Sequence, residues 1–397
     1  MENSTSTAGR PVAAAVQARP TTAGRLLFID NIRVFLTILV LLHHLMITYS
    51  GTGDWYYNEG QPDFIAGALG GWFCAVNQAY FMGLFLLISA YFVPGSYDRK
   101  GAWEFLKDRL IRLGIPLAAY SWIINPVFVF LLFRDEIGTS FWRFFPLQYF
   151  KGGTVIGHGP LWFVEVLLIF SVLYILWRLV TRSRPSPPAV ETPFPSTLAV
   201  ALFALALGAV GFLVRLAMPM DTYTFVPLNL QLPFFAQYIA MFVVGLIAQR
   251  RNWLARLPEK TGRGWLIAAI ALVLAWVPMM LLGGAAEDDM PFKGGVHWQA
   301  GAYAVWEAFA CVALTISVIY LFRRFFNRQG KVTGFLIPNA YAAYIIHAPV
   351  IVALALVVRN VQLYPLLKWL LLAPFAVLAS FGLGALIRKI PFTDRVL

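Results

Sequence analysis

The segment FIDNIRVFLTILVLLHHLMITYS (residues 28–50) decides the fold. Apart from Asp30 and Arg33 near its start it carries no acid, lysine or arginine. A helix of about 20 apolar residues crosses the hydrocarbon layer, so this run reads as a transmembrane helix. Two polar residues inside it stand out. Arg33 and His44 lie eleven residues apart, which at 100° per residue returns to within about 20° of the same helix face. The rise between them is about 16 Å. A cation and an imidazole stacked on one face of a membrane helix are costly to hold there and mark a functional pair. The other readings are an interfacial anchor for Arg33 and an interhelical hydrogen bond for His44. His43 is turned by about 100° from that face and reads as a packing or orienting neighbour.

The rest of the 397-residue chain repeats the pattern. It is 59% hydrophobic and 13% charged, a balance that excludes a soluble domain. Apolar runs fall at about 28–50, 67–94, 113–133, 160–180, 197–217, 231–248, 265–283, 302–321, 340–358 and 367–387. The expected fold class is therefore all-α: a polytopic integral membrane bundle of about ten transmembrane helices. The expected domains are a disordered cytoplasmic tail over 1–25, a transmembrane domain over 26–390 and a cytoplasmic C-terminal tail over 391–397. Residues 184–196 form a Pro-rich linker.

The net charge of +12 is not a nucleic-acid signature, because the cations follow the loops. Alternate loops and the two tails hold 23 of the 31 Lys and Arg, and the opposite loops hold seven. Both termini are therefore expected in the cytoplasm. The opposite loops carry nine acids and many aromatics, among them Asp54, Glu59, Asp63, Trp55, Tyr56 and Trp142. Such a face suits sugars, by stacking and hydroxyl hydrogen bonds, or forms an interfacial aromatic belt. Cys74 and Cys311 lie in apolar segments, where a thiol is a small apolar filler. Neither a disulfide nor a metal site is expected.

Further groups could carry chemistry. Arg99, Lys100, Lys107, Arg109 and Arg112 crowd one cytoplasmic stretch. Arg109 and Arg112, three apart on one helix face, can grip a phosphate bidentately. Gly83, Ser89 and Gly95 precede them and let backbone approach a ligand. Glu165 and Glu307 fall near the outer ends of their spans, at a depth similar to His44. A carboxylate there can fix the tautomer of a catalytic histidine or hold a hydroxyl. His347 reads as a core histidine bonded to a neighbouring helix, on the inner side of the midplane. Hydrolase, ATPase and metalloprotease motifs are absent from the sequence.

Four blocks, in order, resemble the membrane acyltransferase 3 family. Asp30–Asn31–Ile32–Arg33 with His44 is similar to that family's Arg-x10-His signature. FMGLFLLISAYFVPGSYDRKGAWEFLKDRLIRLGIPL (81–117) resembles its second block, with Ser89–Ala90–Tyr91 as the small-residue turn and Arg109 and Arg112 as the Arg-x2-Arg pair. GPLWFVEVLLIF (159–170) and NAYAAYIIHAPVI (339–351) resemble two later blocks. The departures are Ala90, where the family usually has Gly, and the doubled His43–His44. The similarity covers roughly residues 26–390, in the minimal form without an added soluble esterase-like domain. The opening block also resembles the glucan-modifying branch, whose members succinylate periplasmic glucans.

The resemblance implies an O-acyltransferase of the inner (plasma) membrane. It would move an acetyl or succinyl group from cytoplasmic acyl-CoA to a hydroxyl of an extracytoplasmic carbohydrate or glycan. Acyl-CoA is then a donor substrate, with no permanently bound cofactor. The implied catalytic set is His44, Arg33 and Glu165. The implied donor-binding set is Arg109, Arg112, Ser89 and Lys107. Acyl-CoA, a glycan acceptor and membrane lipids are the expected partners, with no nucleic acid. From the residues alone, a transporter or flippase for an anionic or proton-coupled solute stays open. Reporter fusions should place residues 134–159 and 284–300 outside and 249–264 inside. An inside signal from 284–300 would overturn this topology.

Overall fold

The computed structural model describes residues 26–53, 55–60, 62–150, 158–181, 192–222 and 230–397, except for the side chains of 147–150 and 394. The expected N-terminal tail and most of the Pro-rich linker lie outside the described residues. Among the described residues the secondary structure is helical throughout, with no strand. Ten helices are long and apolar enough to cross a membrane. They are α1 (Leu27–Ser50), α2 (Phe64–Tyr91), α3 (Val93–Leu132), α4 (Gly159–Val180) and α5 (Thr197–Ala217). The second half holds α6 (Leu232–Arg251), α7 (Glu259–Leu282), α8 (Trp298–Phe325), α9 (Lys331–Val357) and α10 (Pro365–Ile387).

The bundle is built around α1. It packs on α2, α8, α9 and α10, and α2 in turn packs on α6. In α1, α2 and α8, 72% of the apolar window is buried against protein, compared with 11% in α7 and 17% in α5. Lipid and protein are equally apolar, so hydropathy alone does not rank these helices; small residues and polar contacts do. Gly245 of α6 is one such contact, because a Cβ there would run into the Leu87 carbonyl of α2. At the cation-rich end, the Asn31 amide of α1 donates to the Phe326 and Arg328 carbonyls at 2.5 and 3.0 Å. This ties the start of α1 to the turn between α8 and α9. Cys74 and Cys311 are buried free thiols.

Two helices differ from the spans expected from hydropathy. The basic stretch 95–112 is helical and joins the third span, as two helical segments that meet at Gly101 and run on to Leu132. Few other residues accept the φ of 75° at Gly101. Further along, α3 widens into i→i+5 turns at Leu110–Gly114 and Tyr120–Ile124. Each lies just before a proline, Pro116 or Pro126, that has no N–H to give and crowds the carbonyl four residues back. For Pro116 that carbonyl belongs to Arg112, and the Tyr341 hydroxyl of α9 donates to it at 2.7 Å. The second difference is α9, which begins at Lys331, nine residues before its expected start. The early turns are interrupted by Gly334 and Pro338, which lower the apolar signal there.

Glu307, expected to present a carboxylate to a hydroxyl, is instead used inside the bundle. It pairs with Arg215 of α5 at 2.5 Å, with both side chains buried. The guanidinium also lies over the rings of Phe234 and Tyr303, at 5.2 and 5.9 Å. Removing one partner of a buried pair leaves an uncompensated charge and costs about 3–5 kcal/mol. Arg215→Ala should therefore lower the thermal unfolding midpoint in detergent. Arg215→Met combined with Glu307→Leu should recover most of that loss.

Candidate active site

His44 sits on α1 and His347 on α9, and the two rings meet. His44 Nδ1 and His347 Nε2 are 2.9 Å apart, with ring centroids at 4.9 Å. This corrects the expected depth of His347. Counted from the true start of α9, it lies 16 residues past Lys331, while His44 lies 17 past Leu27. Both helices run in the same direction from the cation-rich end, so equal rise brings the two to one level. His347 is thus a core histidine bonded to a neighbouring helix, and the neighbour is the candidate catalytic residue itself.

The bonds around the pair fix where the protons are. His347 Nδ1 lies 2.5 Å from the Tyr344 carbonyl oxygen. A carbonyl only accepts, so His347 donates from Nδ1 and its Nε2 carries the lone pair. His44 then donates from Nδ1 to that lone pair, and its own Nε2 is left bare as an acceptor. Trp55, in the loop between α1 and α2, stacks flat on the His44 ring at 4.2 Å and 8°. His43 points elsewhere. It is buried, tilts against Phe81 at 4.9 Å, and its Nδ1 has no hydrogen-bond partner.

The loop carrying Trp55 is tied down on both flanks. Lys368 of α10 is buried, donates to the Glu59 carboxylate and to the Val361 carbonyl, and lies over the Tyr49 ring. Glu59 N–H bonds the Thr48 carbonyl at 2.8 Å. The Tyr364 hydroxyl reaches Asp63 at 3.1 Å. Next to Trp55, Tyr56 donates to Asn125 Oδ1 of α3 at 2.6 Å and lies 3.4 Å from the Tyr120 hydroxyl.

At the cation-rich end the structure draws the expected arginines together. Both Arg33 and Arg112 are close enough to repel the Arg109 guanidinium electrostatically. Arg33 and Arg112 are exposed and Arg109 is half-buried. Arg109 lies over the Phe105 ring at 4.8 Å, and its Nε is buried without a hydrogen-bond partner. The Asp108 carboxylate pairs with Arg112 at 3.3 Å and with Lys100 at 3.1 Å. A guanidinium with an orphan donor, repelled by two others, is the kind of arrangement that a polyanion would relieve. Lys107 is exposed beside them. Ser89 lies near the end of α2, where its carbonyl takes the Phe92 N–H, and it makes no hydrogen bond to these arginines among the described residues.

Glu165 faces a partner other than the expected one. In place of His44 it meets His158, with Oε1 to Nε2 at 3.4 Å. The physical reason is local. The 3-10 turn Gly159–Leu161 opens α4 one turn before Glu165, and it carries His158 back toward α3. The other nitrogen, His158 Nδ1, lies 2.5 Å from Ser121 Oγ of α3. This cluster adjoins the His44 pair, since the Tyr344 hydroxyl donates to the Pro160 carbonyl and the Tyr344 ring lies 5.6 Å from that of His347. Sequence reasoning passes over Ser121, Tyr120 and Asn125. The cue available is the polar set Tyr120, Ser121 and Asn125 between Pro116 and Pro126 in an otherwise apolar stretch.

An acyltransferase-domain family model matches residues 26–388. Among curated proteins, the chain is 25% identical over 342 residues to "Glucans biosynthesis protein C" of Salmonella schwarzengrund (strain CVM19633), covering 82% of each chain. It is 24% identical over 344 residues to the protein of the same name from Escherichia coli O6:K15:H31 (strain 536 / UPEC), covering 83% of each. No solved structure matches it. With ten apolar helices and a family match over almost its whole length, the chain belongs to the acyltransferase-domain family and is a multi-pass membrane acyltransferase.

Proposed function

We propose that this protein transfers an acetyl or succinyl group from cytoplasmic acyl-CoA, across the cytoplasmic membrane, to a hydroxyl of an extracytoplasmic glycan. The similarity to glucan biosynthesis proteins supports a glucan-type acceptor. The observation that carries the reading is the hydrogen-bond chain from the Tyr344 carbonyl through His347 to His44. It leaves His44 Nε2 as a bare base about 16 Å of helix rise from Arg33.

In this reading the Arg33, Arg109 and Arg112 end faces the cytoplasm and holds the donor phosphates. Lys107 adds charge at the entrance, and Ser89 contributes only backbone approach. The polyanion stays at the membrane surface, while the thioester arm reaches inward between the helices. The acceptor enters from the acidic, aromatic end, past Trp55 and Tyr56. His44 Nε2 takes the proton of the attacking hydroxyl, and His347 steadies the imidazolium that forms. Arg33 acts on donor position rather than on the reacting atoms.

With purified protein, labelled acetyl- and succinyl-CoA and a glucan acceptor, His44→Ala should lower acyl transfer by about 10²- to 10⁴-fold. His347→Ala should lower kcat with little change in donor KM. His43→Ala should keep a substantial fraction of activity. A dead His43→Ala beside an active His44→Ala would reverse the assignment. Normal turnover in both would remove α1 from the chemistry. A wild-type protein that moves solute and leaves the thioester intact would make it a transporter.

The donor site has its own test. Arg109→Ala with Arg112→Ala should raise the donor KM about tenfold or more, and should flatten its rise with salt, because fewer ionic contacts remain to be screened. An unchanged donor KM in well-inserted protein would leave these arginines a topological role only.

A further inference from the structure

Ser121, His158 and Glu165 form an arrangement that the His44 reading does not use. Ser121 Oγ lies 2.5 Å from His158 Nδ1, and His158 Nε2 lies 3.4 Å from Glu165 Oε1. The Glu165 carboxylate lies in ion-pair range of Nε2, and an acceptor there favours the ring proton on that nitrogen. Nδ1 is then a bare lone pair facing the serine O–H. A hydroxyl, a base and a carboxylate that orients the base are the parts of an activated nucleophile, recognised by geometry rather than by chain order.

Three observations separate this from ordinary packing of a membrane serine. First, hydroxyls in these helices commonly bond their own backbone four residues back. Ser171, Ser317, Thr37 and Thr48 do so, to the carbonyls of Leu167, Ala313, Arg33 and His44. Ser121 instead turns to the histidine that immediately precedes α4. Second, it sits in the widened turn Tyr120–Ile124 of α3, a distortion that recurs at functional sites. Third, Glu165 Oε2 is buried without a partner, an exception among buried polar atoms that leaves this carboxylate able to meet a further donor.

Depth adds a fourth argument. Ser121 lies twelve residues past Arg109, and His44 eleven past Arg33. Because the two arginines share one cluster, similar rise along α3 and α1 carries both reactive groups to a similar level, about 16–18 Å inward. A thioester arm that reaches His44 is long enough to reach Ser121.

We propose that Ser121 is an acyl-carrying nucleophile, activated by His158 and Glu165, and that transfer runs through an acyl-serine intermediate. This deepens the acyl-CoA reading above and rests on it for the donor. Ser121 Oγ attacks the thioester carbonyl and its proton moves to His158. The C–S bond breaks, and the thiolate leaves toward the arginines and takes a proton from water there. The His158 imidazolium stays paired with the Glu165 carboxylate. The acceptor hydroxyl then attacks the acyl-serine, its proton going to His44 Nε2. The ester bond to Ser121 breaks, and the departing oxygen takes its proton back from His158. His44 returns its proton to water, so one proton passes overall from acceptor hydroxyl to thiol. The covalent stage serves a site whose donor and acceptor come from opposite sides, since the acyl group is held while the donor withdraws.

Two measurements on the full-length protein in detergent test this. Labelled acyl-CoA without acceptor should release about one equivalent of thiol per protein in a burst, and peptide mass spectrometry should find the acyl group on Ser121. Ser121→Ala should lose burst and adduct while eluting and unfolding like wild type. Ser121→Cys should retain an adduct. In His44→Ala the adduct should form and persist. The second measurement needs no donor. A fluorophosphonate probe should label Ser121, and His158→Gln or Glu165→Gln should slow labelling at least tenfold. Acyl transfer at the wild-type rate in Ser121→Ala, or an acyl adduct on His44 with none on Ser121, would overturn the proposal and leave the acyl-CoA reading standing. Probe labelling of Ser121 with no thiol release from any acyl-CoA would instead sink the donor reading and keep the nucleophile.

Discussion

The hydrogen bond between His44 and His347 is the constraint on which the site depends. Two imidazoles in an apolar bundle, His347 fully buried and His44 partly so, must satisfy each other or leave polar atoms facing hydrocarbon. Their bond fixes the rotation of α1 against α9, because a turn of either helix by one residue would part the rings. It also fixes the tautomers, since the chain ends at a backbone carbonyl that cannot donate. The same contact that holds two helices in register therefore sets which nitrogen is free to react. Trp55 completes the arrangement by covering one face of the ring.

The second constraint is α3, which serves both ends of the molecule. Its basic start supplies Arg109 and Arg112, and its far half supplies Tyr120, Ser121 and Asn125. A straight helix would carry an unbroken ladder between them. Pro116 and Pro126 prevent that, and the freed carbonyls are met by wider turns and, at Arg112, by Tyr341 of α9. Thus α9 touches α3 near the arginines and α1 at the histidines. One helix spans the distance between the proposed donor anchor and the proposed base.

Much of the fold is legible in the amino-acid sequence. Ten spans follow from runs of apolar residues, because a membrane demands length and hydropathy and little else. Pairing Arg33 with His44 on one face needs only the helical period. What the sequence hides is contact between helices. His347 reads as shallower than His44 because Gly334 and Pro338 mask the first turns of α9, and with them its true starting level. Glu165 reads as a partner for His44 because both lie near the same depth. Depth alone does not say which neighbour a side chain faces, and the turn at Gly159–Leu161 sends Glu165 to His158. Glu307 misleads for the same reason, its partner Arg215 lying 92 residues away in the chain.

Two ion pairs help to hold the bundle together. Arg215–Glu307 and Lys368–Glu59 are matched pairs, each joining elements distant in sequence. Lys368 is the more telling of the two. Burying a lysine near the start of α10 is costly, and what it secures is the short loop that sets Trp55 on His44 and Tyr56 on Asn125. A loop held so firmly from α10 is part of the wall of the site rather than a passive connection between α1 and α2. Unmet polar atoms are not confined to Arg109, Glu165 and His44, since Arg215 Nε and Nη1 and Glu59 Oε2 also lack partners; what sets Arg109, Glu165 and the bare nitrogen of His44 apart is their place on one route across the bundle. In a solvent that punishes unmet polar atoms, three such groups along one route across the bundle are the places where a substrate's own polar atoms would complete the structure.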